Sequence, residues 1–352
     1  MPSASTHHAR RIRMSKGVIF VSTDWISDTV ADALGDLGCE IIRGPAASGP
    51  GMTVYDPADY PRLFGRTDVI VASTITRIDR SIMEAAPRLR AIMSPVIGVE
   101  SIDVDAATEL GIIVGHGATP ENFLGMAEAT VLFIAALAMQ LPFKQRLLAQ
   151  NAPRPRELTA RSVRGRTIGL VGMGRIARGV VDRLQGWETE ILYFDPYVPQ
   201  DKAPAGTRKV ELDELLQRSD FVSLHVTLTD QTRAMIGERE LRLMKPTAYL
   251  VNTARGAALD EAAVYKVLKE GAIAGAALDA FVEEPLPMSS PLREFVGSDN
   301  VILTPHIIGH SYDVMASLPV AAKANVERVL RGEPPLYTKN PEAIERWKAR
   351  LV

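Results

Sequence analysis

Residues 167–171 run directly into Gly172-Met173-Gly174-Arg175-Ile176-Ala177. In such a GxGxxA turn the first glycine permits a sharp bend and the second lets backbone approach a pyrophosphate. The small third residue lets a helix pack close to its strand. The free N–H groups around Arg175 and Ile176, at the opening of that helix, would face the phosphates. Asp195 closes the next apolar run, at about the 20-residue interval where a carboxylate meets the hydroxyls of an adenosine ribose. Its charge would repel a 2′-phosphate, so the pattern favours NAD over NADP.

Three further segments carry reactive side chains. Residues 248–252 are followed by Thr253-Ala254-Arg255-Gly256, and residues 274–279 end on Asp279 with Glu284 shortly after. Residues 301–303 lead into Thr304-Pro305-His306. As strands of one parallel sheet they would bring an arginine, a carboxylate and a histidine to the edge where such sheets bind ligands. An arginine grips a carboxylate with two parallel hydrogen bonds and polarises the neighbouring carbonyl. A histidine exchanges a proton near neutrality, and a carboxylate on its far nitrogen fixes the tautomer. These are the needs of hydride transfer between a nicotinamide and a 2-hydroxy acid, with the protein supplying orientation and charge. Singly, each residue has a plainer reading: Arg255 as an ion-pair donor, Glu284 and Asp195 as turn residues before prolines, His306 as a loop histidine. His225, at another strand end, is read as structural. His116 and His310 are candidates to support the site from outside.

The elements that must position these groups alternate along the chain. Residues 18–22, 69–72, 91–93 and 112–114 read as buried strands, with helices near 27–37, 80–86 and 104–110. Residues 151–166, rich in arginine and with Pro153 and Pro155, interrupt the pattern. A second series follows, with strands at 167–171, 190–194, 221–225, 248–252, 274–279 and 301–303 and helices such as 213–218 and 260–270. Alternation of this kind predicts α/β architecture with two doubly wound parallel sheets. A length of 352 residues fits two domains better than one core.

Composition narrows the function classes. Apolar residues make up 46% and charged residues 23%, ordinary for a globular protein. Forty Lys and Arg against 42 Asp and Glu leave a net charge of −2, which gives no support to nucleic-acid binding. The single cysteine, Cys39, forms no internal disulfide and no Cys-rich metal site, so no metal is expected. The first sixteen residues carry Arg10, Arg11, Arg13 and Lys16, with His7 and His8 between acid-free neighbours, and no apolar segment of a secretory signal follows. They are expected to be a flexible tail. The apolar window 129–139 is too short to span a bilayer. A buried helix, no membrane segment and a cytoplasmic location are expected.

Taken together the motifs resemble the D-isomer-specific 2-hydroxyacid dehydrogenase family. The resemblance runs from about Val69 to Leu336 and is clearest in GLVGMGRIA (169–177), YFDP (193–196), SDFVSLHVTLTDQTRAMIG (219–237), LVNTARGAALDE (250–261), AGAALDAFVEEPLP (274–287) and ILTPHIIGHS (302–311). It implies Arg255, Glu284 and His306 as the catalytic trio, with Glu284 orienting His306 and Arg255 binding the substrate carboxylate. It implies Gly172, Gly174, Arg175, Ile176 and Asp195 as cofactor ligands, with Thr253, Ala254, Arg255, Asp279, His306 and Gly309 on the nicotinamide side. Ile97 and Gly98 in SPVIGVESID (94–103), with Asn122, Arg255 and His306, would meet the substrate. The family's architecture implies a Rossmann NAD-binding domain, 118–306, inserted in a flavodoxin-like substrate-side domain, 17–117 and 307–352. A helix over 121–141 would pack against a second subunit, giving a homodimer. Thr227 stands where the family usually has proline, Ala280 where it has valine, and Met139-Gln140 where it has an arginine. The turn ASTIT (72–76) lacks the arginine expected for a 3-phosphoglycerate enzyme, and Glu284 stands where a formate dehydrogenase has glutamine. Small 2-oxo or 2-hydroxy acids are thus the implied substrates. An NAD(H)-sensing corepressor-like protein of the same fold, or an NAD-dependent enzyme without net redox, remain open alternatives.

Overall fold

A computed structural model describes residues 17–23, 26–46 and 51–351. The tail 1–16, with His7 and His8, lies outside the described residues. The chain divides into two units, residues 1–122 with 312–352, and residues 123–311.

The first unit is a five-stranded parallel sheet of β1 (Val18–Val21), β2 (Glu40–Arg43), β3 (Val69–Val71), β4 (Ala91–Met93) and β5 (Ile113–Gly115), in the order β2-β1-β3-β4-β5. That is the flavodoxin-like order. Successive side chains of a strand point to opposite faces, and both faces here are apolar. Phe20 and Ile92 enter one core with Tyr55, Leu63 and Phe64. Ile19, Val21, Ala91 and Met93 enter another with Leu318, Val326 and Trp347. The sequence pattern assigns no role to Trp347; it is fully buried, and removing a side chain of that size costs about 3–5 kcal/mol. The C-terminal segment is tied on by Asn340, whose side chain accepts from Val114 N–H at 2.8 Å and donates to the Ile112 carbonyl at 3.0 Å.

The second unit is a seven-stranded parallel sheet. Its strands are β6 (Thr167–Val171), β7 (Glu190–Phe194), β8 (Thr207–Lys209), β9 (Phe221–Leu224), β10 (Tyr249–Asn252), β11 (Gly275–Leu278) and β12 (Val301–Leu303). The order β12-β11-β10-β9-β6-β7-β8 is the doubly wound dinucleotide arrangement with one strand added. The order reverses at β6, so β7 and β9 flank the strand that feeds the glycine turn. Leu250 packs on one face with Leu224 and Val264, and Val251 on the other with Ile168 and Val180.

Two strands escape the sequence pattern. β2 and β8 lie at sheet edges and are short; β2 flanks two isoleucines with Glu40 and Arg43, and β8 is Thr207-Arg208-Lys209 with no apolar residue. The helix expected over 121–141 is also different: Pro120–Ala138 ends early and a second helix, Leu141–Ala149, begins after Gln140, which takes a left-handed φ of 50°. Pro142 explains the break, because its ring would clash with the carbonyl of Ala138 in a continuous helix. By length and composition the helix Pro120–Ala138 would suffice to cross a membrane. Instead Ala127, Phe133, Ile134 and Leu137 pack on the core around Ile168 and Leu170.

Candidate active site

The turn after β6 has the shape its glycines require. Gly172 has φ of 96°, a conformation that favours glycine, and a Cβ there would lie 2.7 Å from the His225 carbonyl. At Gly174, which caps the helix Arg175–Arg183, an added Cβ would meet nothing within 4 Å. Backbone at Gly174 is thus uncrowded, as the close approach of a pyrophosphate to a helix N-terminus requires. Ala177 is fully buried against the sheet, and the Arg175 guanidinium lies 6.0 Å from the centre of the Phe123 ring. Asp195 stands at the end of β7 beside this turn. One of its oxygens accepts from Met173 N–H at 2.9 Å, and the other accepts from Tyr197 and Val198 N–H at 2.8 and 3.1 Å. A carboxylate is thus held at the glycine loop, as ribose recognition requires. Loop, helix end and carboxylate all fit a dinucleotide.

Farther along the same sheet edge, Arg255 follows β10. Its turn is organised by Asn252, a fully buried residue that the motif reading does not single out. The Asn252 amide donates to the Arg255 carbonyl at 3.0 Å, and its oxygen accepts from Ala254 N–H at 3.0 Å. The signal is present in the sequence, since a polar residue ending a buried strand must find partners. Arg255 Nη1 donates to the Ala254 carbonyl at 2.7 Å. Thr253 is buried and its hydroxyl meets that of Thr130 at 3.1 Å.

Beyond β11 and β12 the carboxylate and histidine meet. His306 Nδ1 lies 2.9 and 2.8 Å from the two oxygens of Glu284. Glu284 also accepts from Phe281 N–H at 2.9 Å. Burial alone would raise the Glu284 carboxyl, but hydrogen bonding and charge from His306, the Phe281 N–H and the charge of Arg255 outweigh it and hold the group below its ordinary range. His306 has φ of 57°, and the loop that carries it is built on Asp279. That buried carboxylate accepts from Thr304 Oγ1 at 2.6 Å and from Ile307 and Ile308 N–H at 3.1 and 3.2 Å. Gly309 packs so closely on Met126 that a Cβ would overlap its sulfur.

His225 at the end of β9 lies 3.0 Å from Ser223 Oγ, and burial pushes its imidazole down to about 4. For His310, burial and the like charge of His306 lower the imidazole against the pull of Asp279. His116 stacks on Tyr337 in the first unit. Ile97 and Gly98 lie in the first unit, on the loop after β4, where Ser94 Oγ donates to the Gly98 carbonyl at 2.7 Å. Asn122 ends that unit's first segment, and its N–H donates to Thr119 Oγ1 at 3.2 Å at the start of the helix Pro120–Ala138. Among the described residues, no three or more His, Cys, Asp or Glu side chains gather to hold a metal ion.

Comparison with known proteins adds a family. Residues 131–308 match the model of the D-isomer specific 2-hydroxyacid dehydrogenase NAD binding domain. A glyoxylate reductase of Thermofilum pendens is 38% identical over 84% of this chain and 89% of its own length. A D-3-phosphoglycerate dehydrogenase of Methanocaldococcus jannaschii is also 38% identical, over 76% of this chain but 50% of its own. The crystal structure of a glyoxylate reductase from Paecilomyes thermophila superposes with a TM-score of 0.81 at 26% identity, covering 94% of this chain and 99% of that one.

Proposed function

Because the chain belongs to the D-isomer-specific 2-hydroxyacid dehydrogenase family, we propose that it is an NAD-dependent, D-specific reductase of small 2-oxo acids of the glyoxylate or hydroxypyruvate kind. The observation that carries this reading is the clasp of His306 Nδ1 by both oxygens of Glu284, at 2.9 and 2.8 Å. The clasp lies on the sheet edge that also bears the Arg255 turn and the glycine loop.

In this reading Gly172, Gly174, Arg175 and Ile176 hold the pyrophosphate and Asp195 the ribose, while Thr253, Ala254, Asp279 and Gly309 line the nicotinamide side. Bound there, the cofactor supplies the hydride. With Nδ1 committed to Glu284, His306 carries the exchangeable proton on Nε2. It passes that proton to the oxygen of the oxo group in reduction and recovers it in oxidation. Glu284 stays ionised and fixes the ring through Nδ1. Arg255 grips the substrate carboxylate and draws charge from the adjacent carbonyl. Ile97, Gly98 and Asn122 are assigned to the substrate by the family resemblance. The turn 72–76 offers hydroxyls and no cation to a phosphate, and Pro95, Val96 and Ile97 are apolar, which supports an uncharged side group. Leu132 on the helix Pro120–Ala138, Met139 just after it, and Leu141 and Leu148 on the helix Leu141–Ala149 are exposed, which supports a homodimer. A cytoplasmic location, beside a pool of NADH, completes the proposal.

The test is NADH oxidation against glyoxylate, hydroxypyruvate, pyruvate, 2-oxoisocaproate and phenylpyruvate, repeated with NADPH. Turnover on one class with NADH preferred is expected and names the side group. Tight NADH binding without turnover on any of them would refute the reductase and leave the NAD(H)-sensing protein.

A further inference from the structure

Strands β7, β6 and β9 are neighbours, so the loops after β7 and β9 stand on either side of the glycine turn. With strands spaced by about 4.8 Å, those loops start roughly 10 Å apart. One hydrogen bond spans the gap: Tyr197 Oη, from the loop after β7, donates to Gln231 Oε1, from the loop after β9, at 2.9 Å. Both side chains are exposed, Tyr197 at 79%. Their backbones are not loose. Asp195 holds the Tyr197 turn through the Tyr197 and Val198 N–H groups. Thr232 pins the other turn, its hydroxyl accepting from Thr229 N–H at 2.8 Å and donating to the Thr227 carbonyl at 2.7 Å.

We propose that the Tyr197–Gln231 hydrogen bond is a latch across the adenosine half of the dinucleotide crevice, opened each time the cofactor enters or leaves. Two long side chains meeting tip to tip in solvent pack too little surface to brace the fold. A single neutral hydrogen bond has a small net worth and breaks readily. With both turns anchored, opening needs only side-chain rotation, which in exposed residues takes picoseconds to nanoseconds. The latch also shares its anchor with the ligand, because the carboxylate that meets the ribose is the one that accepts from Tyr197 N–H. The proposal rests on the dinucleotide reading of this crevice.

A latch differs from a ligand contact in its kinetics. Stopped-flow NADH fluorescence on the full chain measures association and dissociation for wild type, Tyr197→Phe, Gln231→Ala and the double variant. Each single variant should speed both rates by roughly three- to tenfold, the worth of one neutral hydrogen bond. The dissociation constant should stay within about twofold, and the double variant should go no further than either single one, because the bond is lost once. Unchanged rates would overturn the latch. So would a rise in dissociation alone, which marks a direct contact with bound cofactor. Wild type that binds neither NADH nor ADP-ribose would overturn the dinucleotide reading, and the latch with it.

Discussion

Glu284→Gln is the sharpest perturbation of the assigned chemistry, because it removes a charge while keeping an acceptor for His306 Nδ1. A charge-assisted hydrogen bond is worth about 1.5–3 kcal/mol. Both side chains are 38% exposed, so solvent screening brings the charge contribution to the lower end of that range. About 1.4 kcal/mol corresponds to a tenfold change in rate. Reduction of an oxo acid needs a proton on Nε2 of His306, and the neutral amide of Glu284→Gln would no longer offset the positive charge that goes with it, so the loss falls on kcat. At fixed alkaline pH kcat should fall roughly tenfold. Glu284 is itself held below the ordinary carboxylate range, so its support is in force above that range and vanishes only as pH falls beneath it. An acid-side loss at higher pH belongs to another group. The assay is initial velocity between pH 5 and 10 with the best substrate, with NADH affinity measured in parallel by fluorescence. A normal kcat across that range, or a fall in NADH affinity that accounts for the whole loss, would refute the assignment of Glu284 as the partner of a proton-carrying His306.

Asp195→Asn keeps an acceptor for the Tyr197 turn but removes the charge that would oppose a 2′-phosphate. The ratio of kcat/KM for NADH over NADPH should fall by about tenfold, and an unaltered ratio would sink the assignment. His225 is lowered to about 4, so as pH drops below its ordinary 6.5 the unfolded chain takes up the proton first and stability declines. Urea titrations should show ~2 kcal/mol lost between pH 7.5 and 5 in wild type that His225→Gln does not lose; parallel profiles would remove His225 as the cause. A Cβ at Gly256 would overlap the Phe281 backbone, whereas at Gly309 it meets the flexible end of Met126. Gly256→Ala should therefore cost about 3 kcal/mol or more and Gly309→Ala markedly less, which denaturant midpoints check; equal costs would contradict the packing argument.

Legibility in the sequence depends on how local the information is. The glycine turn is legible because strand, bend and helix opening are consecutive and each needs a small residue for a stated reason. The break before Leu141 is legible in principle, since Pro142 forbids the carbonyl of Ala138 its helical place, but the apolar run through Met139 masks it. The edge strands β2 and β8 are not legible, because a strand with one neighbour tolerates charge and loses the alternation that marks it.

The site residues divide along the same line. Arg255, Glu284 and His306 follow apolar runs, so their arrival at one sheet edge follows from reading those runs as parallel strands. What holds them does not. Asn252 and Asp279 end or directly follow otherwise apolar strands, and both are buried. A buried polar end residue must be satisfied, so sequence can say that partners exist. It cannot say that the partners of Asp279 are Thr304 and the backbone of Ile307 and Ile308, on the loop that carries His306. Those bonds join the end of β11 to the loop after β12, and their existence depends on the two strands being adjacent. The reacting groups are therefore written in residue types, while their placement is written in strand order.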